Sequence, residues 1–415
     1  MSTRKSLRQF PLGTQTGRLT SRRNMYVRLA TTFFLASTSR TEPSGWPCSG
    51  HGSCIPLSRQ RERSAATNAS ELLDRAVHDL LWYTCIPANT QRRGNMVLNW
   101  NETASRRPRH FDGYGANPPE FRWPGNARVA VNFAINFEEG TERSPLLGDG
   151  QRDSRTWVKS ALPPEARDLM QEGEYEYGTR AGIWRLLRLF NQYRAPFSVF
   201  VSSEALSVVP ETAKQFAEMD CDFVSHGTRS ISRVDLTPEQ EREDLRKCIN
   251  DVRTLTGKPV LGAFPRPPIT TESRRIMAEE GLLYDSATTN DDLPYFYPVE
   301  GRPMLVLPYA VDTNDARFWG GQSGPGFTGS TDFFDYLKDS FDTLYEESES
   351  TGRMMSVGLH ARIMRPGRAA SIRRFLEYLR EKDDVFIAKR SDIARAFAER
   401  FAPEDTWNWP LATDS

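Results

Sequence analysis

Between about residue 110 and residue 402 the apolar positions follow two rhythms that alternate along the chain. Short, nearly continuous apolar runs predict strands: ARVAVNFAINF (127–137), FSVFV (197–201), CDFVS (221–225), PVLGAF (259–264), MLVLPYAV (304–311), MMSVGLHA (354–361) and VFIAK (385–389). Segments with helical spacing lie between them. Ile183, Leu186, Leu187 and Phe190 fall at i, i+3, i+4 and i+7, one face of a helix, and Ile372, Phe375, Leu376 and Leu379 repeat that kind of spacing. Thr237-Pro238-Glu239-Gln240 reads as a capping box with proline at the first helical position, and Ser391 is expected to cap the last helix. Strands that alternate with helices imply parallel pairing through crossovers. About seven such units predict an α/β fold, a closed or nearly closed (β/α) barrel.

The first 95 residues follow neither rhythm. Residues 1–41 carry eight Arg or Lys and no acid, a composition that fits a mitochondrial transit segment or a disordered tail. The chain is thus divided into an N-terminal extension (1–95), a catalytic barrel (110–402) and a C-terminal tail (403–415) that Trp407 and Trp409 are expected to anchor. Met96 is an alternative start. Formal net charge is +0, which gives no sign of nucleic acid or an anionic membrane as partner. No apolar run reaches the length of a membrane span. Five cysteines (Cys48, Cys54, Cys85, Cys221 and Cys248) without a C-x-x-C pair predict neither a disulfide framework nor a zinc finger. A cytoplasmic protein acting on a small molecule is the default expectation, with mitochondrial targeting by the extension and homo-oligomerisation left open.

In such a barrel, chemistry gathers where strands end, and polar residues with catalytic potential stand there. Glu138 and Glu139 follow the first strand, His226 the CDFVS run, Arg266 the PVLGAF run, Asp285 a short apolar segment, and His360 closes MMSVGLH. Each alone has a plain structural reading: a hydrogen-bonded histidine, a solvated acid pair, a loop arginine. Together they supply what amide hydrolysis requires, a base for water, an acid for the departing nitrogen, and partners that set their pKa values.

The order acid pair, His, Arg-Pro-Pro, Asp, Leu-His resembles the polysaccharide deacetylase (NodB-homology) superfamily. The stretches DGYGANPPEFRWPGNARVAVNFAINFEEG (112–140), EYEYGTRAGIWRLLRLF (174–190), SHGTRS (225–230), LLYDSATTNDDLPY (282–295), LPYAVDTNDARF (307–318) and MMSVGLHARIMRPGRAASIRRFLEYL (354–379) are most similar to its cofactor-independent allantoinase, or urate-catabolism, branch. The resemblance implies a distorted barrel and hydrolysis of non-peptide C–N bonds. It implies Glu138 as general base, Arg266 as the base's partner, His360 as general acid and Asp285 as the group orienting His360. Glu139, His226, Arg229 and Arg365 are expected to bind or orient substrate, with Glu139 and His226 hydrogen-bonded to each other.

Metal-dependent members of the superfamily carry His-x-x-x-His, and here the second histidine is Ser230. Catalytic zinc usually keeps three protein ligands. No cofactor is therefore expected, with a weak divalent ion at Glu139 and His226 as the open alternative. The loop PRPPITTES and Ala287 also depart from the allantoinase pattern. They bear on the substrate rather than on the reaction class. Ring opening of a small cyclic amide is the leading expectation; N-deacetylation of an amino sugar and a non-catalytic homologue are the alternatives.

Overall fold

The computed structural model describes residues 109–234, 236–319 and 329–409. The N-terminal extension, its basic segment, Met96 and the cysteines at 48, 54 and 85 lie outside the described residues. The strands are β1 (Val129–Phe137), β2 (Phe197–Val201), β3 (Cys221–Ser225), β4 (Val260–Ala263), β5 (Tyr284–Asp285), β6 (Tyr295–Val299), β7 (Arg302–Val306), β8 (Arg353–His360) and β9 (Val385–Ile387). They form one sheet in the order β6-β7-β5-β4-β3-β2-β1-β8, and β9 adds to the N-terminal part of β1. All pairs are parallel except β6 with β7. The chain after β7 runs back to β8, where Asn314 bridges Gly358, so the sheet curls into an incompletely closed barrel.

All seven expected runs contain strands; six are trimmed by at most a few residues, while the run 304–311 contributes only Met304–Val306 to β7, which starts earlier, at Arg302. β5 and β6 were not foreseen. β5 is two residues long, and β6 (Tyr-Phe-Tyr-Pro-Val) contains a proline that only an edge strand tolerates.

Alternation along β1 decides what points where. Val129, Val131, Phe133, Ile135 and Phe137 belong to one core with Ile183, Leu186, Leu187 and Phe190 of the helix Ile183–Tyr193. Ala130 and Ala134 belong to a second core inside the barrel with Phe200, Val224, Leu305 and Tyr309. Asn132 and Asn136 share that inward phase and bond to Ser198 and the Ala388 carbonyl, and to Tyr309 and the Leu359 carbonyl. A side-chain period of two then puts Glu138 on the inward phase and Glu139 on the helix side. β8 repeats the pattern: Met355, Val357 and Leu359 pack outward, while Ser356, Gly358 and His360 share the inward phase.

The N-terminal end of the barrel is closed by the helix Arg390–Phe401. Arg390 is fully buried. Its guanidinium donates to Ser286 Oγ (2.7 Å), Ser356 Oγ (2.9 Å) and the carbonyls of Leu307 and Pro308 (both 2.6 Å). Ser391 does not cap this helix. Lys389 occupies the cap position, and the Ser391 amide donates instead to Asp222 Oδ2. The Thr237 capping box forms as expected. In the C-terminal segment Trp407 Nε1 donates to the Val299 carbonyl and Asn408 to the carbonyls of Ala278 and Leu282, which ties it to the β6–β7 edge and the helix Thr271–Glu279. Cys221 and Cys248 are buried and unpaired. Among the described residues no helix is long and apolar enough to cross a membrane.

The helix Leu169–Tyr177 continues into a π-helical turn, Gly178–Gly182, before the helix Ile183–Tyr193. A Cβ on Gly178 would lie 2.5 Å from Glu139 Cγ, and one on Gly182 would lie 1.8 Å from the Ala361 carbonyl oxygen. The two glycines let this turn touch the ends of β1 and β8 at once. Gly182→Ala is expected to cost about 1–3 kcal/mol, as overpacking against backbone does, and to lower activity by pushing the His360–Arg362 loop. Gly173→Ala, where added bulk meets nothing within 4 Å, serves as the control and is expected to stabilise by about 0.4–1 kcal/mol. Thermal melts and turnover of both variants check this.

Candidate active site

At the C-terminal ends of β1, β3, β4 and β8, four of the expected residues converge. Glu138 is 1% exposed. Its Oε1 lies 3.0 Å from His226 Nε2 and 3.3 Å from Arg266 Nη1, and its Oε2 lies 2.8 Å from Arg362 Nη1. Burial alone would raise the Glu138 pKa. Arg362, His226 and His360 outweigh that and hold it well below the ordinary carboxylate range. His226 Nδ1 lies against the Phe264 carbonyl and Nε2 against Glu138 Oε1, so both ring nitrogens are engaged.

His360 ends β8 with its ring against Asp315. Asp315 Oδ1 accepts from Nδ1 (2.7 Å) and Oδ2 from the His360 amide (2.7 Å). Asp315 is fully buried and opens the short helix Asp315–Trp319. This grip fixes both the ring and the backbone of His360, and leaves Nε2 as the nitrogen able to move a proton.

Asp285 does not take that role. Tyr284 belongs to the inward core, so its neighbour Asp285 points out toward the helix Thr271–Glu279. There it accepts from Arg274 Nε at 2.7 Å and from the Ala287 amide. Glu139 and His226 do not pair either, because they stand on opposite phases of their strands. Glu139 Oε2 accepts from the Glu138 amide (3.1 Å) and Oε1 from the Arg362 amide (2.9 Å). Arg229 is tied to Asp149 (2.7 Å) and the Glu142 carbonyl, which pins the loop after β1. The Arg365 guanidinium stacks 3.5 Å over the Tyr177 ring at the start of the helix Pro366–Leu379. Neither arginine touches the acid pair.

Sequence reasoning missed Arg362 and Asp315. Arg362 stands two residues beyond His360, in the one-turn 3-10 helix Ala361–Ile363 that follows β8. Asp315 carried no signal by periodicity, since it sits in an irregular stretch that becomes one turn of helix. Beside Arg266 opens a cavity of about 780 Å³, lined also by Ser230, Arg155, Asp153, Arg143, Arg152 and Lys159.

Comparison with known proteins bears on the family and the fold. The family profile described as polysaccharide deacetylase matches residues 174–284. A putative polysaccharide deacetylase of Schizosaccharomyces pombe is 32% identical over 299 residues, which cover 67% of this chain and 92% of the relative. The chain belongs to the polysaccharide deacetylase family. It is a hydrolase acting on non-peptide C–N bonds. Two solved structures, a probable polysaccharide deacetylase from Pseudomonas aeruginosa PAO1 and the Puue allantoinase, are each 41% identical with TM-scores of 0.66; each match covers 71% of this chain and 98% of the other.

Members of this deacetylase family that use a metal hold it with an acid and two histidines. The residues present here do not fit such an ion. Both Glu139 oxygens face backbone amides, both His226 nitrogens are engaged, and Ser230 Oγ sits 3.4 Å from the Arg155 guanidinium. Among the described residues no group of three His, Cys, Asp or Glu side chains is arranged around a common point for a metal. The permanent cations that meet Glu138 are the guanidinium groups of Arg266 and Arg362.

Glu139 has the opposite electrostatics to Glu138. Burial and the neighbouring Glu138 charge push it up to about 7, against the pull of Arg362 and the two amides. A carboxyl raised in the folded chain keeps a proton that the unfolded chain has released. Stability contributed by that proton is present at pH 4.5 and is lost as pH rises to about 7. Over that window the loss is at most about 3 kcal/mol. The Glu138 contribution lies in another window, lost only as pH falls below the ordinary carboxylate range. Melts across pH 5–8 are expected to show a decline that Glu139→Gln flattens.

Proposed function

We propose that this protein opens the ring of a small cyclic amide, a hydantoin-type ureide or an imide, without a metal. The observation that supports this best is the constellation at Glu138: an ionised buried carboxylate held by Arg362 and Arg266, near a histidine whose Nδ1 is fixed by Asp315. In the proposed reaction water attacks the ring carbonyl and Glu138 takes its proton. The C–N bond breaks, His360 Nε2 gives a proton to the departing nitrogen, and an open-chain acid results. Arg266 and Asp315 act as positioning residues for base and acid. The likeness to an allantoinase at 41% identity supports the ring-opening reading, and the altered loop PRPPITTES leaves the ring substituents open.

N-deacetylation of a sugar chain is the less favoured reading. Among the described residues no aromatic side chain lines the cavity beside Arg266 to stack on a sugar ring. A binding-only homologue would have no need of an acid and a base so carefully partnered.

The test is hydrolysis of racemic allantoin, hydantoin and succinimide, with and without a strong chelator. Turnover of at least one, indifferent to the chelator, is expected. Turnover of acetylated amino sugars alone would overturn the reading, and so would a rate abolished by the chelator. Glu138→Gln is expected to abolish turnover, and an unchanged rate would remove the base assignment. Asp315→Asn is expected to lower kcat by about 10²–10⁴, the span of general acid catalysis. Asp285→Asn, which breaks the buried pair with Arg274, should cost about 3 kcal/mol of stability and leave kcat within a few-fold. The reverse pattern would return the orienting role to Asp285.

A further inference from the structure

The cavity beside Arg266 is larger and more basic than the ring-opening reaction requires. Its 780 Å³ falls inside the range of sites for drug-sized ligands, roughly 300–1,000 Å³, and far exceeds one five-membered ring. Five cationic side chains line it, Arg143, Arg152, Arg155, Lys159 and Arg266, against one carboxylate, Asp153. That carboxylate is already taken: Asp153 forms a bidentate pair with Arg155. Arg266 is shared with Glu138. Arg152 donates to the carbonyls of Leu162, Pro163 and Ala166 and to Gln171, and Lys159 donates to the Thr156 carbonyl. These acceptors orient the side chains without neutralising them. Among the described residues Arg143, Arg152 and Lys159 form no ion pair.

Positive charge gathered in a cleft raises the local concentration of anions. Arg266 links this cavity to the reacting centre, since it lines the cavity and also meets Glu138. The carboxylate that ring opening itself produces forms at Glu138, not out at Arg143 and Lys159. We infer that the substrate carries a second group beyond the ring, a carboxylate, which the Arg143–Arg152–Lys159 wall binds while the ring carbonyl lies at Glu138. This rests on the ring-opening reading and narrows it to anionic cyclic ureides or imides.

The probes are hydantoin-5-acetic acid and its neutral amide, with the intact chain. Charge-assisted hydrogen bonds are the strong ones, so kcat/KM for the acid is expected to exceed that for the amide at least ~10-fold. The preference should shrink as salt is raised. In Arg143→Gln and Lys159→Gln the acid-to-amide ratio is expected to fall several-fold, with the change in KM. Equal turnover of acid and amide, or a preference for the amide, overturns the inference and leaves the ring-opening reading standing. Where neither compound is hydrolysed, calorimetric binding separates the two. Binding of the acid ~10-fold tighter than the amide supports the anion wall and moves the failure to the proposed reaction. Equal or absent binding overturns the wall as well.

Discussion

A carboxylate removed from water organises this molecule. Glu138 is buried, and an unpaired buried charge costs several kcal/mol even after the protein relaxes around it. Its partners come from three strand ends: Arg362 after β8, Arg266 after β4 and His226 after β3. In the sheet order β4 lies three places from β1. Across a flat sheet that is roughly 14 Å at about 4.8 Å per strand, too far for one guanidinium to span. Only a strongly curled sheet brings these groups to one carboxylate. The curl of the barrel and the ionisation of Glu138 are thus two sides of one constraint, and disturbing the cations strains the loops that carry them.

The same curl explains why much of the fold was legible and part of the site was not. A strand buried on both faces reads as a continuous apolar run, and β1, β2, β3 and β8 do so plainly. β6 is half-exposed and β5 is two residues long, so neither leaves a run to find. Within the site, the legible residues stand directly at strand ends. Two of the misplaced residues fail on parity. Asp285 and Glu139 each stand one residue out of phase with the inward side, and a one-residue offset sends a side chain to the opposite face. Tyr284 and Glu138 hold the inward positions beside them. Reading the alternation one residue past the last apolar position of β1 would have separated Glu138 from Glu139, whereas Arg362 lies in a one-turn 3-10 helix beyond β8, where the strand period no longer holds. Asp315 reaches His360 from an irregular connection, where no period exists to be read.

The glycine pair of the π-helical turn carries a further constraint. Glu139 is gripped by backbone amides and by the close approach of Gly178, while Gly182 sits on the Ala361 carbonyl. π-turns are often found at functional sites, and here the turn sets the spacing between the β1 and β8 ends. That spacing decides how far Arg362 reaches toward Glu138. A helix turn outside the barrel therefore tunes a charge pair inside it, through packing alone.

Under the proposed metal-free reaction, guanidinium groups in place of a metal change what the site can do. A bound divalent ion offers an open coordination position to polarise a carbonyl. Arg362 offers a permanent charge that needs no deprotonated imidazole to hold it, but its Nη1 already faces Glu138 and it has no vacant coordination position. Under the proposed reaction the carbonyl must then be activated by hydrogen bonds, or be reactive from the start. An acetamide on a sugar is a stable, resonance-stabilised amide. A ring carbonyl whose nitrogen carries a second acyl group, as in a hydantoin or an imide, sheds a better leaving group, and its ring geometry holds it ready for attack. The loss of the second histidine at Ser230 therefore bears on which amides the site can open, as well as on how it opens them.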